Sequence, residues 1–115
     1  MHEMSIAEGL MDQIVAIAEQ NDLSRIDRVL LQTGELRQVI PEVMQEAFRA
    51  VAQGTVAQGA VLDIEEVTAE AVCNQCQYAF TPSLGNFLCP RCQIADITIR
   101  KGEEIILASL ESRDP

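Results

Sequence analysis

The segment Cys73–Cys92, with the sequence CNQCQYAFTPSLGNFLCPRC, contains all four cysteines of the chain. They form two C-x-x-C pairs separated by twelve residues. The two sulfurs of a C-x-x-C turn lie close enough to bind one ion, and backbone N–H groups of the turn point toward them. Two such turns joined by a hairpin supply the four thiolates that a tetrahedral zinc ion accepts. The segment therefore predicts a zinc site with the ligands Cys73, Cys76, Cys89 and Cys92.

Three other uses of the four cysteines are conceivable. A rubredoxin-like iron site has similar C-x-x-C turns, and the cysteine count fits it as well as zinc. Two disulfides fit poorly with a chain that stays in a reducing compartment. A thioredoxin-like redox pair needs a helix directly after the C-x-x-C, which neither pair has. Zinc in a structural role is the favoured interpretation, because four protein thiolates leave no open position for a substrate.

The cysteine segment holds too few apolar groups to fold without a metal. Its larger apolar side chains are Tyr78, Phe80, Leu84, Phe87 and Leu88. A segment of about 30 residues with so small a core is not stable unaided. Structural zinc contributes on the order of 10 kcal/mol to such a segment. The metal is therefore expected to hold the ribbon together.

The N-terminal part of the chain has a helical pattern. From Ser5 to about Gln20, apolar residues recur at spacings of three and four, which places them on one face. Ser5 and Glu8 match the S-x-x-E capping box, in which each side chain accepts an unpaired backbone N–H. The helix is therefore predicted to begin at about Ile6, with Met1–Met4 ahead of it.

The remaining elements alternate between strand and helix. Pro41 fits the first turn of a second helix, which Gly54 ends. The predicted strands are Arg25–Thr33, Ala60–Thr68 and Glu104–Glu111. The predicted fold class is α+β, with a three-stranded sheet, two helices and an inserted zinc-ribbon subdomain. The predicted division assigns residues 1–70 and 103–115 to the α/β body and residues 71–102 to the ribbon.

Composition and charge exclude several classes of function. The 115 residues carry a net charge of −10, contain one Tyr and no Trp, and include no apolar run long enough to cross a membrane. Residues 1–72 have four Arg against thirteen Asp and Glu, so the body repels phosphate backbones. The N-terminal sequence MHEMSIAEGL lacks the basic and apolar regions of a signal peptide, which predicts a cytoplasmic protein.

The single histidine, His2, suggests a second metal site. A disordered terminus is the ordinary interpretation of a lone histidine at a chain end. However, the Met1 amine, the His2 amide nitrogen and the His2 imidazole can close two adjacent chelate rings around one ion. Such nitrogen donors suit Ni(II) or Cu(II), with Glu3 as a source of a further ligand. A position just before a helix also favours the neutral, metal-binding form of His2.

Together these motifs resemble the HypA/HybF family of nickel metallochaperones, which serve [NiFe] hydrogenase maturation. The resemblance rests on M1-H2-E3-M4-S5, on G34-E35-L36 followed by P41-E42, and on the two cysteine pairs followed by G102-x-E104. It covers essentially the whole chain. It implies a nickel-binding α/β body and a zinc ribbon inserted before the last strand.

The resemblance also implies ligands and partners. The nickel-binding histidine falls on His2, with the neighbouring glutamate at Glu3 and the Met1 amine beside them, and the structural Zn(II) falls on the four cysteines. The expected partners are a HypB-type GTPase and the hydrogenase large subunit, with urease maturation proteins for some members. Some members have a histidine near the ribbon that can join the nickel site, whereas residues 69–103 here contain none.

Other interpretations of function remain weaker on the residues. A nucleic-acid-binding ribbon would need a Lys/Arg cluster and exposed aromatic side chains for base stacking. An enzyme would need a nucleophile–base pair or a phosphate-binding loop, and neither is recognisable. The acidic face of the first helix, with Glu8, Asp12 and Glu19, is a candidate docking surface. Monomer and homodimer are both compatible with the sequence.

Overall fold

A computed structural model describes residues 2–83 and 85–112. Two helices and six strands follow one another along the chain: α1 (His2–Gln20), β1 (Arg28–Gly34), α2 (Pro41–Ala52), β2 (Val61–Val67), β3 (Glu70–Cys73), β4 (Ala79–Phe80), β5 (Ile97–Lys101) and β6 (Ile105–Glu111). The predicted α+β class is confirmed, with two helices and a three-stranded sheet in the order β2-β1-β6. A second three-stranded sheet, β4-β3-β5, was not predicted from the sequence.

The chain forms two compact units. The first contains residues 1–31, 39–65 and 106–115, and the second contains residues 32–38 and 66–105. The functional division into a nickel-binding body and a zinc-ribbon insert stays a prediction.

The core of the first unit is aliphatic, as the composition requires. Most of the apolar stripe predicted on α1 is buried against α2, whereas its member Ile17 is half-buried. Ile14 is fully inaccessible to solvent. Pro41 stands in the first turn of α2, where its missing N–H removes no helical bond. The largest fully buried side chains of this unit are Ile14, Ile26, Val29, Leu31 and Met44.

Strand β1 differs slightly from its prediction. It begins at Arg28 rather than Arg25, because the N–H of Ile26 donates to the carbonyl of Val56, which lies outside the sheet. The side chain of Arg25 bonds Asp27 (Nε–Oδ1 2.7 Å). The N–H of Asp27 donates to the carbonyl of Glu111, and the N–H of Val61 donates to the carbonyl of Asp27. The starts of β1 and β2 therefore lie side by side, and α2 makes the helical connection that two strands in the same direction require.

The second unit contains a close packing of two glycines. A Cβ on Gly34 would collide with the backbone of Gly102. Gly102 has φ of 99°, and a Cβ there would lie 2.6 Å from the Cα of Ala69. The carboxylate of Glu35 accepts the N–H of Ala69 (2.7 Å) in the same region. These contacts explain why no larger residue fits at Gly34 or Gly102.

The glycine in the middle of α1 has no such role. Gly9 is exposed, and a Cβ there would meet nothing within 4 Å. Replacing Gly9 with Ala should raise the free energy of unfolding by about 0.5–1 kcal/mol, since Gly costs this much in a helix interior. Urea denaturation followed by circular dichroism measures the change. The matched variant Gly102→Ala should lower stability instead, and stabilisation by both would contradict the packing described.

Candidate metal centres

The two C-x-x-C segments fold into the same tight turn. In the first, the N–H of Gln77 donates to the carbonyl of Cys73 (2.9 Å), and in the second the N–H of Gln93 donates to the carbonyl of Cys89 (2.8 Å). Gln77 and Gln93 both adopt positive φ, 66° and 60°, which redirects the chain after each turn. The two turns therefore present their sulfurs in equivalent ways.

The four sulfur atoms converge on one point. Their Sγ atoms all lie within 4.8 Å of one another, and those of Cys76 and Cys89 are 3.7 Å apart. Tetrahedral zinc–thiolate bonds of about 2.3 Å separate neighbouring sulfurs by about 3.8 Å. All four cysteines are free thiols, and Cys73 and Cys89 are fully buried. The donor set therefore fits a tetrahedral ion with four protein ligands.

Backbone N–H groups and neighbouring sulfurs set the charge of this cluster. The N–H groups of Arg91 and Cys92 each lie 3.4 Å from the sulfur of Cys89. The N–H of Cys76 lowers the pKa of the Cys73 thiol to about 7. Hydrogen bonding with the Cys76 sulfur raises the pKa of Cys92 to about 12. A cation held by these four sulfurs would take the place of the protons that they otherwise share.

Asp96, just before β5, fixes the first turn in place. Its carboxylate accepts hydrogen bonds from the side chains of Asn74 (2.9 Å) and Gln75 (3.2 Å), and its carbonyl accepts the N–H of Asn74. These bonds, the one from Asn74 first, lower the pKa of Asp96. The hydroxyl of Thr98 donates to the Asn74 side-chain oxygen (2.9 Å). Side chains that are not ligands therefore hold this turn in the shape that presents its sulfurs.

The N-terminus differs from its prediction. Helix α1 begins at His2 rather than near Ile6, so Ser5 is inside the helix and does not cap it. The side chain of Glu3 is 6% exposed, and its Oε2 accepts the N–H of Ile40 (3.1 Å) at the start of α2. This bond joins the beginnings of two helices and ties the residues ahead of Ser5 to the start of α2.

The side chains of His2 and Glu3 lie together at the start of α1. The His2 side chain is half exposed, and its Nδ1 is 3.4 Å from Oε1 of Glu3. The first N–H groups of a helix have no acceptor inside it, so the His2 amide is not part of the α1 ladder. The third predicted donor, the Met1 amine, lies outside the described residues. The hydrogen bond from Ile40 lowers the pKa of Glu3, which keeps a carboxylate beside His2.

The lowered pKa of Glu3 predicts a specific pH dependence. The folded-state pKa lies below 4.5, so the stability gained from the carboxylate is present above about pH 4.5 and is lost as the pH falls through the folded-state value. The variant Glu3→Gln keeps an acceptor for Ile40 but does not titrate. The stability advantage of the wild type should therefore shrink as the pH falls below about 4.5. Urea titrations of both proteins at each pH measure this difference in the free energy of unfolding. Both proteins contain the same ribbon, so its own pH dependence does not contribute to the difference. An advantage that stays constant with pH would contradict the assignment.

The sequence did not reveal all of these residues. The amide of Ile40 and the side chains of Asp96 and Thr98 act from far along the chain, and no local pattern marks them.

Within residues 2–83 and 85–112, the four thiols are the one group of three or more metal-binding side chains close enough to share an ion. In the same residues no helix has the length and apolar character required to cross a bilayer.

The fold and these sites define a small metal-binding protein that carries a four-thiolate ribbon. The family model described as "Hydrogenase/urease nickel incorporation, metallochaperone, hypA" matches residues 1–112. The chain belongs to the HypA family. It is thus a metallochaperone of nickel incorporation and not an enzyme.

Relatives of known name and a solved structure match this chain over nearly its whole length. The hydrogenase maturation factor HypA of Chlorobium limicola is 42% identical over 110 residues, which cover 96% of this chain and 95% of the relative. HypA of Desulfitobacterium hafniense is 40% identical over 111 residues, covering 96% and 97%. The solution structure of the Ni metallochaperone HypA from Helicobacter pylori has a TM-score of 0.73 at 28% identity and covers 96% of both chains.

Proposed function

We propose that this protein binds Ni(II) at its N-terminus and delivers it for [NiFe] hydrogenase maturation, while Zn(II) in the four-cysteine site has a structural role. The nickel donors are the Met1 amine and the amide and imidazole nitrogens of His2, with Glu3 beside them. The observation that carries the proposal is the half-exposed His2 imidazole next to the buried, anionic Glu3. The family description supports nickel as the cargo.

The arrangement suits a carrier. The Nδ1 atom of His2, which closes a chelate ring with its own amide nitrogen, is the ring nitrogen nearest Glu3 Oε1. A nickel ion there would have a carboxylate beside it to balance its charge. It would also stay near the surface, where a partner can take it. The partners of this delivery are a HypB-type GTPase and the hydrogenase large subunit, and urease maturation proteins where a urease is served.

The assignment of zinc rests on the donor chemistry. Four thiolates at tetrahedral spacing leave no open position, which suits zinc in a purely structural role. Iron in the same sulfur cluster is the alternative. Metal analysis of the purified protein decides between them, because the proposal requires about one zinc per chain and no colour from iron–thiolate charge transfer.

The variant His2→Ala tests the nickel site. It should lose nickel binding in equilibrium dialysis and keep its zinc, because the ribbon has its own ligands. The control Ser5→Ala changes an exposed residue of the same helix and should keep both metals. Nickel-edge X-ray absorption of the untagged wild type should show nitrogen and oxygen donors. Unchanged nickel affinity in His2→Ala, or sulfur ligation at nickel, would overturn the proposal.

A further inference from the structure

An open groove lies along α1, beside the end of α2. It has a volume of about 630 Å³. Its floor is apolar and is formed by the buried Met11 and the half-buried Val15 and Val51. Thr55 also lines the groove, with its hydroxyl 3.6 Å from the sulfur of Met11.

The exposed rim of the groove is acidic. Glu8, Asp12 and Glu19 line it, together with the exposed Ala16. Their spacing of four and seven residues places the three carboxylates in one row on α1. Helix α1 contains no Lys or Arg, and among the described residues no ion pair involves these three side chains.

These charges are unfavourable for α1 itself. Like charges four residues apart, such as Glu8 and Asp12, destabilise a helix by a few tenths of a kcal/mol. A carboxylate in the last turn, such as Glu19, faces the negative end of the helix dipole. The row therefore does not stabilise the free protein, whereas a cationic partner would satisfy it.

We propose that this groove docks a basic amphipathic helix of a partner protein. The apolar floor requires an apolar stripe, and the carboxylate row requires Lys or Arg beside that stripe. From Glu8 to Glu19 the row spans about 16 Å along α1, which matches about three turns of a docked helix. The inference goes beyond the proposed function, since it does not depend on where nickel binds.

The probe for the test is an 18-residue helical peptide of Leu and Lys with one apolar face, labelled with a fluorophore. Its affinity for the zinc-loaded protein is measured by anisotropy at low and at moderate salt. The groove variant Glu8→Gln/Asp12→Asn/Glu19→Gln is compared with the control Glu66→Gln/Glu103→Gln/Glu104→Gln. Both change the net charge equally, and the control residues are exposed and lie outside the groove.

The groove variant should bind the peptide at least tenfold more weakly than wild type, and the control should lose less than threefold. In ¹⁵N spectra of the wild type, the shifts on binding should concentrate at residues 8–19 and 51–55. A peptide of equal charge with Ser in place of Leu should bind at least tenfold more weakly. Equal losses for the two variants, or equal binding of the two peptides, would show general attraction to an acidic surface and overturn the proposal.

Two further measurements separate this inference from folding and from nickel binding. The groove variant should melt at a temperature equal to or above that of the wild type, because the repulsion within α1 is relieved. A markedly lower melting temperature would contradict the energetic argument. Nickel dialysis of the same variant reports on the proposed function alone, so either proposal can fail without the other.

Discussion

Replacing Cys73 with Ser should release the metal of the ribbon and unfold residues 66–105. Apart from Cys73 and Cys89, the fully buried side chains of this unit are small, chiefly Ala69, Ala71 and Val72. Structural zinc contributes on the order of 10 kcal/mol, which is more than so small a core can replace. Helices α1 and α2 have their own aliphatic core and should stay folded.

Trypsin provides the measurement, because the ribbon contains Arg91, Arg100 and Lys101. The Cys73→Ser protein should be cut at these sites within minutes, while the zinc-loaded wild type resists. Metal analysis should show loss of zinc in the same sample. The wild type treated with a chelator should behave like the variant.

A matched substitution in the same turn separates the metal from the turn itself. Gln75→Ser removes one hydrogen bond to Asp96 but no sulfur, so this variant should keep its zinc and its resistance to trypsin. If Cys73→Ser also kept zinc and stayed resistant, the metal would not be what holds the ribbon together.

The sequence predicted the cysteine cluster well because its geometry is local. Each pair of ligands is three residues apart, and a single turn decides where both sulfurs point. One assumption, that the two turns meet, then specifies the whole site. The sheet β4-β3-β5 was missed for a related reason. Strand β4 has only two residues, Ala79 and Phe80, and so short a strand leaves no alternation to detect.

The start of α1 shows where local rules fail. Ser5 and Glu8 match a capping box, but Glu3 accepts the N–H of Ile40, which is 37 residues away. That contact lies in the turn ahead of Ser5, and no local sequence pattern near Glu3 predicts it. Asp96 is a similar case, since it contacts Asn74 from 22 positions along the chain. Residues that position ligands from a distance become visible only when the fold is known.

Extending the chain by Gly-Ser-Gly-Ser before Met1 should weaken nickel binding by about 100-fold or more. The extension leaves every side chain in place, including His2 and Glu3, but it converts the Met1 amine to an amide. The chelate ring between that amine and the His2 amide nitrogen is then lost. Donors linked in one chelate bind together about 10²–10⁴ times more tightly than they do singly, so the loss should be large.

The same four residues added after Pro115 are the control and should leave nickel binding unchanged, since no proposed donor lies there.

The length of the N-terminal extension determines the direction of the effect on nickel affinity. A single added residue would place His2 third from the new amine, where amine, two amides and imidazole form a different and tighter chelate for Ni(II). An extension of one residue should therefore strengthen nickel binding, and an extension of four residues should weaken it. A site formed only by the imidazole and Glu3 would not produce these opposite effects. If nickel dialysis gave equal affinities for the native chain and both extended chains, the Met1 amine would not be a nickel ligand.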